Sequence, residues 1–225
     1  MYPYFIWKNI SSLDKNIMVN KLPNFERPPA NIEKIVISGR DGFLTQDDGT
    51  YQGTVKTCEC SLDNGNIEDI CSWLTGCGDV TFSNEPDKIY KAVIINKIPF
   101  SKIIPTFHSF IIQWDCQPQK YSISNDIITL TTVGTITNPA TAIAKPIIKV
   151  YGTGTINLTI NSTAITLTNV VDYVTIDSEL QDAYHDTQLF NNDMVGEFPI
   201  LQVGTNTINW SGAVIKIEIQ GNWRF

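Results

Sequence analysis

Residues 110–116 read Phe110-Ile111-Ile112-Gln113-Trp114-Asp115-Cys116. Phe110, Ile112, Trp114 and Cys116 fall on one side of an extended chain, and Ser109, Gln113 and Asp115 fall largely on the other. Side chains alternate across a strand with a period of two, so the stretch reads as a strand with one dry face and one wet face. The same alternation returns at Ile156, Leu158 and Ile160 against Asn157, Thr159 and Asn161, and at Ile215, Ile217 and Ile219 against Lys216 and Glu218. Antiparallel sheets with one solvated face produce this pattern.

Working outward, further strands are expected at Lys34 to Ser38, Gly53 to Leu62, Tyr90 to Asn96, Ile127 to Thr132, Ile147 to Tyr151, Val174 to Ile176 and Asn206 to Trp210. All are rich in β-branched and aromatic residues. Turn signals separate them at Asp41-Gly42, Asp48-Gly49, Asn64-Gly65, Gly152 to Gly154 and Ser211-Gly212. One segment departs from the period of two. Ile67, Ile70, Cys71 and Leu74 stand at i, i+3, i+4 and i+7, with Asn66 placed to cap the start and Gly76 to end it, which predicts a short amphipathic helix. Ser178 with Gln181 three residues on either caps a second helix or belongs to an extended hairpin.

The fold class is therefore mainly β with one short helix. Most Cys and Lys precede Tyr121. From about Ser122 the chain turns Thr-, Ile- and Asn-rich with short, regularly spaced strands, as β-sandwiches do. Two domains are expected, residues 1–121 and 122–225, with the proline-bearing loop Thr137 to Pro146 at or just inside the second.

Composition narrows the function. The 225 residues include only 14 Gly and 11 Pro, far from a disordered or collagenous composition. No apolar run approaches the roughly 18 residues of a membrane helix. The start, MYPYFIWKNISS, lacks the regions of a signal peptide, so a soluble protein without membrane insertion is expected. With 16 Lys and Arg against 23 Asp and Glu, the net charge of −7 repels phosphate backbones, which disfavours nucleic-acid binding. Five cysteines, an odd number, fit reduced thiols better than a disulfide framework.

Candidate chemistry is thin. Cys58, Cys60, Cys71 and Cys77 lack the paired C-x₂-C knuckles of zinc ribbons and read as buried free thiols rather than a metal site. Asp172, Asp177, Glu179, Asp182, Asp186, Asp193 and Glu197 form an acidic run. A glycosidase needs two such carboxyls facing across a cleft, whereas a solvated acidic loop needs none. No G-x-S-x-G elbow accompanies His108 or His185, so both histidines read as structural, His108 in a segment bracketed by Pro105. Gly152-Thr153-Gly154 is followed by a strand rather than a helix and reads as a β-turn, not a phosphate loop. Asn9, Asn157 and Asn161 open glycosylation tripeptides that arise by chance in an Asn- and Thr-rich chain. No catalytic, cofactor-binding or metal residue is assigned, and chains of this kind bind or assemble.

Specific residues carry a likeness. In the first half these are Ser38-Gly39-Arg40-Asp41-Gly42, Thr54 to Leu62, Tyr90-Lys91-Ala92-Val93, and Trp114-Asp115-Cys116-Gln117-Pro118 followed by Tyr121. In the second they are Asn138-Pro139-Ala140-Thr141, Lys145-Pro146-Ile147, Tyr151-Gly152-Thr153-Gly154, Ile176-Asp177-Ser178, Ala183-Tyr184, Phe198-Pro199-Ile200-Leu201, Gly204-Thr205-Asn206 and Trp210-Ser211-Gly212. In this order they resemble the distal tail proteins (Dit) of siphophages that infect Gram-positive bacteria, over nearly the whole chain.

The resemblance implies an N-terminal ring-forming hub domain with one helix and a C-terminal galectin-like β-sandwich. It implies a structural, non-enzymatic role in the virion tail tip or baseplate, after synthesis in the host bacterial cytoplasm. A homohexameric ring would join the tail tube protein above to a tail-tip spike or lysin below, and the receptor-binding proteins are further partners for such hubs. With only short turns, this chain has no room for the inserted carbohydrate-binding module that some members carry. The acidic balance would suit a channel that passes DNA. Two other readings remain: a monomeric lectin gripping sugars through exposed aromatics, and a wall-degrading glycosidase using acids between Asp177 and Glu197. Trp210 and Trp223, the tryptophans of the second half, read as packing residues rather than sugar platforms.

Overall fold

The computed structural model of the chain describes residues 2–104 and 106–225, with only the backbone for Ile104. Pro105, expected to bracket the His108 segment, lies outside the described residues. The chain divides into two units, Met1–Lys120 and Tyr121–Phe225.

The first unit is built on the alternating stretch at residues 110–116. It lies within the strand Phe107–Ser122, which pairs antiparallel with Thr54–Asp63 in an unbroken register from Phe107 opposite Asp63 to Cys116 opposite Thr54. Because the side-chain period is two, Phe110, Ile112, Trp114 and Cys116 all turn inward and are buried, together with Cys58 and Cys60 across the ladder. The sheet runs Ile10–Ser11, Phe5–Trp7, Cys77–Phe82, Lys88–Ile94, Phe107–Ser122, Thr54–Asp63 and Ile17–Lys21. Ser101–Ile104 also pairs with Phe107–Ser122.

Phe5–Trp7 and Phe107–Ser122 stand three strand spacings apart, about 14 Å at roughly 4.8 Å each. Yet the rings of Trp7 and Trp114 lie 6.3 Å apart and those of Phe5 and Trp114 5.1 Å apart. The sheet curls around these side chains, the sense in which strand twist drives a sheet with one apolar face. Phe82 meets Trp114 edge-on at 5.4 Å, a geometry that the ring quadrupoles favour.

The helix Ile67–Trp73 forms where its cap predicts. Asn66 Oδ1 accepts from the Glu68 N–H at 3.0 Å and the Asp69 N–H at 3.4 Å. Its buried side chains are Ile70 and Trp73, with Leu74 buried just beyond. Cys71, expected in the apolar stripe, is exposed. Trp73 takes that place because its ring stacks on Phe5 at 5.8 Å, and each indole N–H of Trp7 and Trp73 donates to the other's backbone carbonyl.

The second unit has a different plan. Two long strands, Ile147–Ile160 and Gly204–Gln220, run antiparallel along each other and carry the remaining strands on their flanks. The first half of Ile147–Ile160 pairs with Tyr173–Asp177, and the second half pairs with Thr163–Val170. The expected β-turns at Gly152–Gly154 and Ser211-Gly212 are not turns. Both lie inside these strands, at register shifts that bend them. At Gly152 a Cβ would sit 2.2 Å from the Ala213 carbonyl oxygen, and at Gly212 (φ +104°) 2.5 Å from that of Thr155. The two bends let Ile148, Val150, Ile217 and Ile219 from one end of the strands meet Ile156, Leu158, Ile160 and Ile208 from the other in one aliphatic core. Residues 178–181, the open choice between helix and hairpin, form a turn joining Tyr173–Asp177 to Asp182–His185. Leu180 there is exposed, so no apolar face existed to fix a helix.

Candidate functional site

The feature that stands apart from both cores is a hairpin of the first unit. Ala30–Ile35 and Leu44–Tyr51 pair only with each other, as a separate two-stranded sheet. Every residue of Leu44–Tyr51 and the last four of Ala30–Ile35 are exposed. At its base the Gln52 N–H donates to the Pro29 carbonyl at 2.8 Å, and at its end the Arg40 N–H donates to the Ile37 carbonyl at 3.2 Å. Gly39 (φ 81°) and Gly42 (φ 84°) supply the left-handed conformations of that end turn.

The tip of this arm is apolar. Ile35, Val36, Ile37, Phe43 and Leu44 are 41–77% exposed, and the Lys34 ammonium lies 4.8 Å from the Phe43 ring. A lone two-stranded hairpin is marginally stable in water, and apolar surface gains roughly 25 cal/mol per Å² when it is covered. The arm therefore leaves apolar surface in water. Sequence reading marked the Asp41-Gly42 turn but set the first strand at Lys34 to Ser38, of which only Lys34 and Ile35 fall within Ala30–Ile35, and it missed Leu44–Tyr51, because Asp48-Gly49 has the signature of a turn. In the structure Gly49 (φ 68°) makes a bulge within the strand, and the Asp47 carboxylate accepts from its N–H at 2.8 Å.

Two further open elements are the ends of the eight-stranded sheet, Ile10–Ser11 and Ile17–Lys21. Beside Ile17–Lys21 lies a groove of about 280 Å³ lined by Tyr2, Pro3, Leu13, Met18, Val19 and Asn20. Leu13 and Met18 are about half exposed at 47% and 50%.

The structure disperses the residues that suggested chemistry. Cys58, Cys60 and Cys116 are buried and free, and burial pushes the thiols of Cys60 and Cys116 up to about 12 and that of Cys58 higher still. Cys71 and Cys77, expected to be buried like the others, are exposed. Among the described residues no three His, Cys, Asp or Glu side chains gather as a metal site.

The acidic run is engaged locally. Asp177 accepts from the Glu179 and Leu180 N–H groups, and Glu179 lies 3.8 Å from both Lys145 and Arg224. Asp182 accepts from Asn191, Asp186 from the Tyr173 hydroxyl, and Asp193 from Thr168 and Asn169. Asp172 sits in a left-handed turn and Glu197 is exposed. His185 Nδ1 is 2.7 Å from the Tyr173 carbonyl, while His108 Nδ1 is buried without a partner. Asn9 and Asn161 occupy left-handed turns, and Asn157 bonds Thr166 within a strand pair.

Two tryptophans and a tyrosine pair of the second unit are engaged within the chain. Trp223 is buried and Trp210 packs against the core. Tyr151 and Tyr173 face each other at 5.6 Å on the outer side of their strands, but the protein's own cations cover their rings. Lys149 Nζ stands 3.6 Å from the Tyr173 centroid, and Lys216 Nζ stands 4.3 Å from that of Tyr151. Both ammonium groups are held above the usual lysine range, Lys149 first by its bond to Tyr151 and Lys216 first by its bond to Glu218.

Known proteins were compared with this chain. No protein-family model matches it, and no curated protein matches it in sequence. A solved structure does match over 100% of both chains, with a TM-score of 0.74 at 12% sequence identity. That structure is the Dit protein (gp 19.1) of phage SPP1, described as a paradigm of the hub adsorption apparatus in phages infecting Gram-positive bacteria. The chain thus has the Dit fold from end to end.

Proposed function

We propose that this protein is the structural hub at the distal end of a phage or phage-like tail. Copies of it, six on the family pattern, close a ring beneath the tail tube protein and carry the tail-tip spike or lysin below, with receptor-binding proteins as further partners. It acts by assembly rather than catalysis, at the tail tip or baseplate of the particle, after synthesis in the host cytoplasm. The second unit is its galectin-like sandwich.

The observation that carries this reading is the end-to-end likeness to the SPP1 hub protein. The exposed arm agrees with it, since a strand pair with open edges and an apolar tip gains stability when another chain covers it. Net charge agrees as well, because at −7 the chain as a whole does not attract the phosphates of DNA passing through a central channel. A net basic lumen in the assembled ring would contradict that last point.

Light scattering together with a glycan array tests the proposal. A ring-sized particle that retains no sugar supports the hub, and a monomer that retains sugar supports a lectin instead. Turnover of peptidoglycan fragments that dies when one acid between Asp177 and Glu197 is neutralised would overturn both.

A further inference from the structure

We propose that residues 22–29, which lead from the strand Ile17–Lys21 into the arm, form a strap that two side chains of the first unit, Lys56 and Asn84, clip shut, and that this strap lifts without unfolding the unit. Asn84 Nδ2 donates to the Pro23 carbonyl at 3.0 Å, and the Lys56 ammonium donates to the Asn24 carbonyl at 2.8 Å. The clip belongs to a single subunit and does not depend on the hub reading.

No strand ladder holds this segment. Ile17–Lys21 leaves its pairing with Thr54–Asp63 at Lys21 opposite Glu59, and among the described residues the backbone of 22–28 makes no hydrogen bond to other backbone. The sequence explains this, since Pro23, Pro28 and Pro29 have no N–H to donate. Leu22 packs partly on the aromatic core and Pro23 is buried, but Asn24 to Arg27 are exposed, and a groove of about 220 Å³ separates the strap from Val55, Thr57 and Glu59. The arm's other leg is fixed differently. Gln52 and Gly53 run into the strand Thr54–Asp63, and at Gly53 a Cβ would sit 2.8 Å from the Cys116 carbonyl oxygen. The strap is the leg that opens, and Gly53 is the pivot that stays.

The closed clip carries a cost that a permanent tie would avoid. Lys56 is 3% exposed, yet its ammonium makes one hydrogen bond; the nearest carboxylate, that of Glu26, is 4.0 Å away and half exposed, and the Tyr90 ring centroid is 5.9 Å away. Asn84 Oδ1 is buried without a hydrogen-bond partner. An ammonium has three N–H groups to satisfy, and a buried charge or unpaired polar atom loses its hydration without full return. An apolar side chain at position 56 would pack there without that loss. Lifting the strap returns both polar groups to water and so offsets part of the two broken bonds, which makes this a releasable hold on the root of the arm.

Native-state digestion with a glutamate-specific endopeptidase tests this by comparing cleavage after Glu26, in the strap, with cleavage after Glu33, on the arm's exposed first strand. Lys56→Met keeps the side chain's length and removes the bond to Asn24. Cleavage after Glu26 is expected to speed up about tenfold, tracking the population of the lifted strap, while cleavage after Glu33 keeps its wild-type rate. The first unit's urea midpoint should not fall, because the buried charge goes with its bond. Asn84→Ala removes the second bond and should also speed cleavage after Glu26, which decides the matter if the Lys56→Met chain does not fold. Three results overturn the proposal: cleavage after Glu26 unchanged in either folded variant, an equal rise after Glu33, which would mean that the arm melts as a whole, or a Lys56→Met midpoint that falls as cleavage rises, which would make Lys56 a fixed part of the fold.

Discussion

The two units bury their cores in different ways, and the first also carries a strand pair that stays outside its main sheet. The second unit bends two long strands over Gly152 and Gly212, so that their two ends bury one aliphatic core, and it carries its remaining strands on their flanks. The first unit wraps a sheet around an aromatic centre made by Trp7, Trp114, Phe5 and Phe82, yet it spends residues 30–51 on an arm that buries almost nothing. The contrast teaches that a unit can own a complete core and still hold a contiguous apolar tip outside it, the kind of surface that interaction sites use.

Substitutions can break that contrast at three points. The largest effect is expected from Trp114→Ala, which removes the ring that Phe5, Trp7 and Phe82 all touch. It should cost the first unit about 3–5 kcal/mol, and chemical unfolding should show one early transition with the second unit's signal retained. A single shared transition, shifted as a whole, would show that the units do not unfold separately.

Gly212→Ala comes next. It forces a Cβ to within 2.5 Å of the Thr155 carbonyl oxygen at a backbone angle that L residues avoid, so thermal unfolding of the second unit should report a loss of about 1–3 kcal/mol. An unchanged melt would mean that the strand bend does not depend on this glycine.

The smallest effect sharpens the contrast from the other side. Val36→Ser, at the most exposed of the tip's large apolar residues (77%), should leave subunit stability within about 0.5 kcal/mol, since the arm contributes surface and not core. A larger loss would place the tip in the fold of the isolated subunit.

How far the sequence could be read follows the same division. The period-two stretch at residues 110–116 announced its strand and its buried face, and Asn66 announced the helix, because both signals act over a few neighbouring residues. The bends at Gly152 and Gly212 were misread as turns. A glycine permits a turn and a bulge equally, and the close approach of Ala213 or Thr155, which selects the bulge, is a contact between residues more than 50 positions apart. Cys71 was assigned to the helix's buried stripe because spacing alone could not show that Trp73 has Phe5 to stack on. The arm was harder still. Ile35, Ile37, Phe43 and Leu44 have the composition of core residues, and hydrophobicity does not distinguish burial within a chain from burial against a second one. Its likeness to the Dit glycine-aspartate turn was legible, but its exposure was not.

On the hub reading this chain is completed by copies of itself. Negative-stain imaging of the purified protein at high concentration tests it most directly. Closed rings with a central opening are expected. Particles that remain compact single subunits at every concentration would contradict it.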